Sequence, residues 1–222
     1  MNPFPILYPM KIKSRTHEYG EVYTFIFEKP SDFTFSSGNY VHIHIPTVEP
    51  PHRSVREMSF ASAPQDSDIT FSITTESKSH WQIKLLALKP GDTIELFKIK
   101  GHLVTPQDGE VVMIAQGIGV TPFRSIIREH FETNSAITPT LIHVGRENYL
   151  FENEFSKLSF EQHRIVREEL DMTLTTVIAN NKNALYMIAG SLVFVEATQK
   201  ILKEKGISEN RIQTDTFKGL PN

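Results

Sequence analysis

Val111-Val112-Met113-Ile114-Ala115-Gln116-Gly117-Ile118-Gly119-Val120-Thr121-Pro122-Phe123 opens as an unbroken apolar run and breaks on two glycines and a proline. A short run that is apolar at every position is expected of a strand buried on both faces of a parallel sheet. Gly117 and Gly119 let the backbone turn sharply and let a bulky phosphate approach with no Cβ in the way. Pro122 suits the first turn of a helix, where its missing N–H is harmless, and Thr121 is the expected N-cap. A helix over Thr121–Glu132 then offers free N–H groups and a positive dipole end to a pyrophosphate. The turn is not the G-x-G-x-x-G fingerprint, because a proline stands where the third glycine would be. A tight connection that binds nothing has the same features, so the turn alone leaves both readings open.

Downstream, the pattern predicts Thr140–Val144 as strand, Phe151–Leu158 as helix, and Arg164–Glu168 and Leu185–Ala189 as strands. Val193–Lys205 follows as helix and Arg211–Thr214 as strand. Strands alternating with helices imply βαβ units and an α/β parallel sheet covered on both sides. Upstream the grammar differs. Met10–Arg15 and Val22–Glu28 alternate apolar and polar residues around a turn-like His17-Glu18-Tyr19-Gly20, which predicts a hairpin. Tyr40–Pro46, Ser54–Ser62, Ile69–Thr75 and Thr93–Phe97 continue the series, and one helix, Trp81–Leu88, interrupts it. This half reads as a small antiparallel β-barrel with a helix across one end. The boundary falls in Thr105–Gly109, giving a barrel over residues 1–105 and an α/β unit over 106–222. Ligands of open parallel sheets bind beyond the carboxyl ends of the strands, here the edge that faces the barrel.

Composition narrows the function. The 222 residues are 39% hydrophobic and 22% charged, which is globular, and 23 Lys+Arg against 26 Asp+Glu leave a net charge of -3. A nucleic-acid binder usually carries a basic footprint, so no nucleic-acid partner is expected. The absence of cysteine excludes disulfides, thiolate zinc, cysteine-ligated iron–sulfur clusters and a cysteine nucleophile within this chain. No apolar run reaches the length of a membrane span. The first residues, MNPFPILYPMKIK, lack a signal-peptide pattern, and the expectation is cytoplasmic.

Arg56-Glu57-Met58-Ser59-Phe60 lies on a predicted barrel strand, with Arg56, Met58 and Phe60 on one face and Glu57 and Ser59 on the other. Such a strand could place a guanidinium on a phosphate and a hydroxyl against a ring heteroatom. A surface arginine and a satisfied buried serine would look the same. His42 and His44 share a strand face and His52 is near in sequence, which keeps a three-histidine metalloprotein as a rival reading.

Further segments fall in order along the chain: Phe35-Ser-Ser-Gly-Asn-Tyr40; Arg56–Ser59; Ser77-Lys-Ser-His-Trp-Gln82 with Leu88-Lys-Pro-Gly-Asp92; Gly117–Pro122; and Ile188-Ala-Gly-Ser191 with Asp215-Thr-Phe-Lys-Gly-Leu220. As an ordered set, from about Phe35 to Leu220, they resemble the ferredoxin–NADP reductase family of flavoproteins. The likeness is to its short members without an iron–sulfur domain. Arg56–Ser59 is similar to the family's R-x-Y-S, and Gly117–Pro122 to its G-x-G-x-x-P.

The resemblance implies FAD on the barrel, NADPH or NADH on the second domain, and a redox acceptor that is a ferredoxin, a flavodoxin, an oxygenase component or a small molecule. It implies that Arg56 binds the flavin pyrophosphate and Ser59 hydrogen-bonds near flavin N5, with Asp215 and Phe217 as further catalytic positions. Glu57, Met58, Thr74 and Thr75 would flank the flavin. Ser79, His80 and Trp81 would present backbone N–H groups from a helix start. Gly117, Gly119, Val120, Thr121, Pro122, Gly190 and Ser191 would line the nicotinamide nucleotide. Arg146 stands where a guanidinium would suit a 2′-phosphate, which leans towards NADPH. Five places depart from the family pattern: Met58 replaces an aromatic, Ala189 a cysteine, Ser191-Leu192 a Gly-Pro-Pro stretch, Asp215 a glutamate, and Leu220 a terminal aromatic. A flavin-carrying electron-transfer or regulatory subunit with little NAD(P)H activity, or a nucleotide-binding interaction protein without redox chemistry, would share these features.

Overall fold

Strands β1 (Tyr8–Tyr19) and β2 (Val22–Glu28) make the first hairpin of a computed structural model that describes residues 6–217. The strand runs through His17-Glu18-Tyr19, so the turn is Gly20-Glu21 and not the four residues the sequence suggests. Gly20 takes φ +47°, a conformation that favours glycine, which moves the reversal onto it. Strands β3 (Asn39–His44), β4 (Val55–Ser59), β5 (Asp68–Thr74) and β6 (Thr93–Gly101) complete one antiparallel sheet in the order β4-β3-β6-β1-β2-β5. The barrel is not fully closed. Its two edge strands meet just past β4, where the Ala61 N–H donates to the Thr70 carbonyl (2.9 Å).

The period-2 pattern explains the burial. Val41, Ile43 and Ile45 are buried in the barrel core with Phe25, Phe27, Phe60 and Phe71, while His42 and His44 face outward. Helix α1 (His80–Ala87) closes one end by burying Trp81 and Leu85, one turn apart on one face. Ser79 and Gln82 form a reciprocal capping box at its start, and the Trp81 indole N–H donates to the Ser54 carbonyl (3.1 Å).

The second unit is a five-stranded parallel sheet in the order β11-β10-β7-β8-β9. Its strands are β7 (Asp108–Gln116), β8 (Ala136–Val144), β9 (Glu161–Ile165), β10 (Leu185–Ser191) and β11 (Ile212–Phe217). Val111–Ala115 form the centre of β7 with no exposed surface, as an apolar run with helices on both faces requires. Helices α2 (Thr121–Thr133), α3 (Glu152–Phe155), α4 (Leu170–Asn180) and α5 (Leu192–Glu204) cover the sheet. The chain builds outward from β7 through β8 to β9, then returns to add β10 and β11 on the other side. The crevice therefore opens between the carboxyl ends of β7 and β10.

Several elements differ from the sequence expectation. The strand expected at Arg164–Glu168 is β9, three residues earlier, because Arg167–Glu169 already form a 3-10 turn leading into α4. The helix expected over Phe151–Leu158 is regular only in α3, and Phe151 has a positive φ of 65°. No element is expected over 170–180, yet α4 forms there. Its Thr173, Thr175, Thr176 and Val177 are poor helix formers. Burial of Leu170, Leu174 and Val177 at helical spacing outweighs that preference, and the Thr175 hydroxyl donates to the Asp171 carbonyl (2.9 Å). Pro139 sits inside β8, in register with Val111 of β7 and one residue before β9 begins to pair at Thr140.

Candidate functional site

Ser59 ends β4 of the barrel and Asp215 lies on the last strand of the parallel sheet, yet the Ser59 hydroxyl donates to Asp215 Oδ2 at 2.9 Å. Both are 6% exposed. Burial pushes the Asp215 carboxyl above its ordinary pKa; the Ser59 bond and His102 pull it down, while Glu57 adds to the rise. The pair thus offers a shielded hydroxyl on a carboxylate that holds protons more readily than a surface aspartate. Tyr40, the cross-strand partner of Ser59, stacks with His102 at 5.2 Å, and burial raises its phenol pKa. Phe217 ends β11 in register with Ser191 of β10. Leu220 lies outside the described residues.

On the opposite face of β4, Arg56 turns back on its own loop, donating to the carbonyls of Val55 (2.8 Å) and Arg53 (3.2 Å), 6.0 Å from the Trp81 ring. Among the described residues no carboxylate lies within ion-pair distance of it. Burial and the neighbouring Arg53 charge lower its pKa. The Ser79 N–H is taken by the Gln82 side chain (2.9 Å), so Ser79 presents its cap and not a free donor, contrary to expectation. The N–H groups of His80 and Trp81 have no acceptor among the described residues. Thr74 Oγ1 is buried without a hydrogen-bond partner, whereas Thr75 Oγ1 donates to Glu21 Oε2 (2.7 Å). Met58 packs against the barrel core, and exposed Glu57 pairs with His42 (3.2 Å).

The three histidines of the metalloprotein reading do not converge. His42 goes to Glu57, His44 Nδ1 meets Glu95 Oε2 at 2.7 Å, and His52 stacks face to face on His80 at 4.2 Å. Among the described residues no group of three or more ligating side chains could hold a metal.

The Gly-rich turn is a 3-10 turn, Gly117–Val120, that runs straight into α2. Thr121 is therefore the first helical residue and not the N-cap, and its hydroxyl donates back to the Ile118 carbonyl (3.0 Å). Pro122 sits in the first helical turn, as expected. Gly117 takes φ +53°, and a Cβ on Gly119 would stand 2.3 Å from the Ala189 carbonyl oxygen. The first glycine is required by conformation and the second by contact. Beside the turn, Ser191 caps α5 by accepting the Phe194 N–H (3.3 Å) and donates to Gln116 Oε1 (2.8 Å), joining the ends of β7 and β10. A Cβ on Gly190, just before it, would stand 3.0 Å from both Gln116 Cβ and Phe194 Cδ1, tighter than ordinary contact. Arg146 is exposed on the loop after β8, with no carboxylate partner among the described residues.

Sequence reasoning passed over His143. It lies on β8 beneath the turn, 2% exposed, with Nε2 2.9 Å from the Gly117 carbonyl. Burial lowers its pKa to about 4, with Arg164 acting in the same direction. The neutral ring donates its Nε2–H to Gly117 and holds the glycine in its left-handed conformation. The available signal was a histidine in the otherwise apolar Leu141-Ile142-His143-Val144 strand.

A solved structure of ferredoxin NADP+ reductase from Neisseria gonorrhoeae with bound FAD and NADP superposes with a TM-score of 0.82 at 19% identity, over 95% of this chain and 98% of that one. The chain has the ferredoxin–NADP reductase fold. No family model matches the sequence. Among curated proteins, that fold is accompanied by similarity to the Bacillus subtilis flavohemoprotein, 22% identical over 94% of this chain and 59% of that protein. The probable dihydroorotate dehydrogenase B electron transfer subunit of Methanocaldococcus jannaschii is 28% identical over 67% of this chain and 52% of its own length. The chain thus spans between half and six-tenths of these two relatives. Among the described residues no helix is long and apolar enough to cross a membrane.

Proposed function

We propose that this chain is a flavin-dependent oxidoreductase. It takes FAD on the barrel and a nicotinamide dinucleotide on the parallel sheet, and hands electrons to a separate acceptor. The observation that carries the reading is the Ser59–Asp215 bond, which brings a barrel hydroxyl and a sheet carboxylate together at the seam of the two units. Three features fit a cofactor with a pyrophosphate: among the described residues, Arg56 has no carboxylate partner, two N–H groups at the α1 start have no acceptor, and the Thr74 hydroxyl has no hydrogen-bond partner.

When bound, a flavin would supply the ring that accepts hydride and releases electrons singly. The chain's own residues supply the rest. Arg56 and the His80 and Trp81 N–H groups bind and neutralise phosphate. Ser59 offers a hydroxyl whose proton is held against Asp215, and burial of the pair excludes water. Gly117, Gly119 and Val120, backed by His143 and Ser191, form a rigid turn that a dinucleotide can approach closely. An exposed Arg146, unpaired among the described residues, supports NADPH over NADH. Within this reading the acceptor is a ferredoxin, a flavodoxin or an oxygenase component, and the location is the cytoplasm, where reduced nicotinamide nucleotides are supplied.

The test is a visible spectrum of the purified chain, reconstituted with FAD where needed, before and after anaerobic NADPH and then NADH. Flavin bands that NADPH bleaches are expected. A colourless protein that takes up no FAD would refute the reading. A second reading, a flavin-carrying electron-transfer subunit, is favoured by the similarity to the Methanocaldococcus protein so described. It predicts a yellow protein that neither nucleotide bleaches.

A further inference from the structure

Helix α2 leaves the Gly-rich turn and lies along the barrel, and two of its arginines reach across the seam. Arg124, 14% exposed at the side chain, donates from Nη1 to the Ala61 carbonyl (2.7 Å) and from Nε to Glu154 Oε2 (2.7 Å). Its guanidinium lies 4.7 Å from the Phe151 ring centroid. Ala61 is two residues past Ser59, and its N–H is already bonded to Thr70. One turn further along α2, Arg128 grips both oxygens of Asp66 through Nε (3.0 Å) and Nη2, and reaches Glu154 Oε1 through Nη1 (3.0 Å). Asp66 accepts the Ala63 N–H (2.8 Å), closing the loop that begins at Ser59. Glu154 therefore orients both guanidinium groups from α3. Of the two, only Arg124 bonds the backbone that directly continues β4.

We infer that Arg124 is a positioning residue for hydride transfer. Its planar fork fixes the strand end bearing Ser59 against the helix that carries the Gly117–Val120 turn. The inference rests on the flavin reading above. In that reading each domain holds one of the two reacting rings, so the relative placement of β4 and α2 sets the reacting distance. Displacements of about 1 Å at such a junction lower rates by about 100-fold without touching the chemistry. A lysine could reach the Ala61 carbonyl or Glu154, but its single ammonium lacks the geometry to hold both.

The experiment uses the full chain as wild type, Arg124→Met, Arg124→Lys and Lys200→Gln; the last removes an exposed helical pair with Glu204 on α5, away from the seam. Amide hydrogen exchange over residues 59–66 is read first, without nucleotide. It is expected to quicken by about tenfold in Arg124→Met while β1 and β2 are unchanged. Stopped-flow flavin reduction then separates binding from chemistry. The rate constant at saturating nucleotide should fall by about 10- to 100-fold in Arg124→Met, with nucleotide Kd and flavin content within about twofold of wild type. Arg124→Lys should fall between, and Lys200→Gln should match wild type. If Arg124→Met does not fold, the intermediate rate of Arg124→Lys decides the question.

A saturating rate unchanged in Arg124→Met or Arg124→Lys, or unchanged exchange over 59–66, overturns the inference alone. A wild-type chain that takes no flavin overturns the proposed function and the inference together, which distinguishes the two failures.

Discussion

His143 should make the stability of this fold depend on pH in a way that one substitution removes. The buried ring is neutral in the folded chain down to about pH 4, whereas the unfolded chain titrates at the ordinary 6.5. Below pH 6.5 the unfolded state takes up a proton that the folded state refuses, so stability falls as pH drops from 6.5 to about 4. Linkage between these two values gives a loss of about 2 kcal/mol at pH 5 and about 3 kcal/mol at pH 4, and almost nothing at pH 7. Carboxylates titrate in the same window, so the effect is read as a difference. Glutamine places an amide N–H near the position of Nε2 but does not titrate, so His143→Gln keeps the bond to Gly117 and removes the proton uptake. Urea unfolding of wild type and His143→Gln, at several pH values from 7.5 to 4.5, should show the gap between them shifting by about 2 kcal/mol in favour of the variant. A gap constant to within about 0.5 kcal/mol over that range would mean that the ring is not held neutral.

Ser59→Ala is expected to slow flavin reduction by NADPH by about 10-fold or more while flavin affinity changes little, because the hydroxyl faces Asp215 and not the phosphate cradle. Stopped-flow bleaching at the wild-type rate would remove Ser59 from the reaction. Arg56→Ala should lose flavin on dialysis, since it deletes a cation that no carboxylate among the described residues neutralises; full retention of the flavin's visible absorbance would count against a phosphate contact. Gly119→Ala brings a methyl group against the Ala189 carbonyl at 2.3 Å, so the turn must lift from β10. A fall in melting temperature of several degrees, roughly that of a 1–3 kcal/mol overpacking strain, should accompany weaker nucleotide binding. Unchanged melting and binding would show that the turn has slack.

Much of the architecture was legible because burial in this chain is written in short-range patterns. The alternation Val41, Ile43, Ile45 and the unbroken Val111–Ala115 run each admit one simple arrangement, and both are buried accordingly. Where competing forces met, the reading slipped. Helix α4 is carried by three apolar contacts at helical spacing against a β-branched sequence, and local preference hid it. The hairpin turn moved because the one glycine in His17-Glu18-Tyr19-Gly20 governs the reversal, not the polar residues before it.

The site was legible in a different sense. Arg56, Ser59, Gly117 and Gly119 stand in motifs whose chemistry is local, so their residue types announced a possible role before any coordinates. What sequence could not announce is which distant partners meet in the fold. Ser59 and Asp215 are 156 positions apart, Arg124 and Ala61 are 63 apart, and His143 reaches Gly117 from the neighbouring strand. The first two of these bonds cross the seam, and the third lies within the parallel-sheet unit beneath the Gly-rich turn. Histidine in an apolar strand and arginine on an amphipathic helix are ordinary residues in ordinary places, and nothing local separates them from core packing or solvated surface. The importance of Arg124 arises only when the two units are docked, because bonds that cross the seam constrain how the units sit against each other, whereas a bond within one unit, such as His143 to Gly117, does not. For a reaction between two rings held on separate units, the residues that cross the seam govern the rate as directly as those that touch the rings.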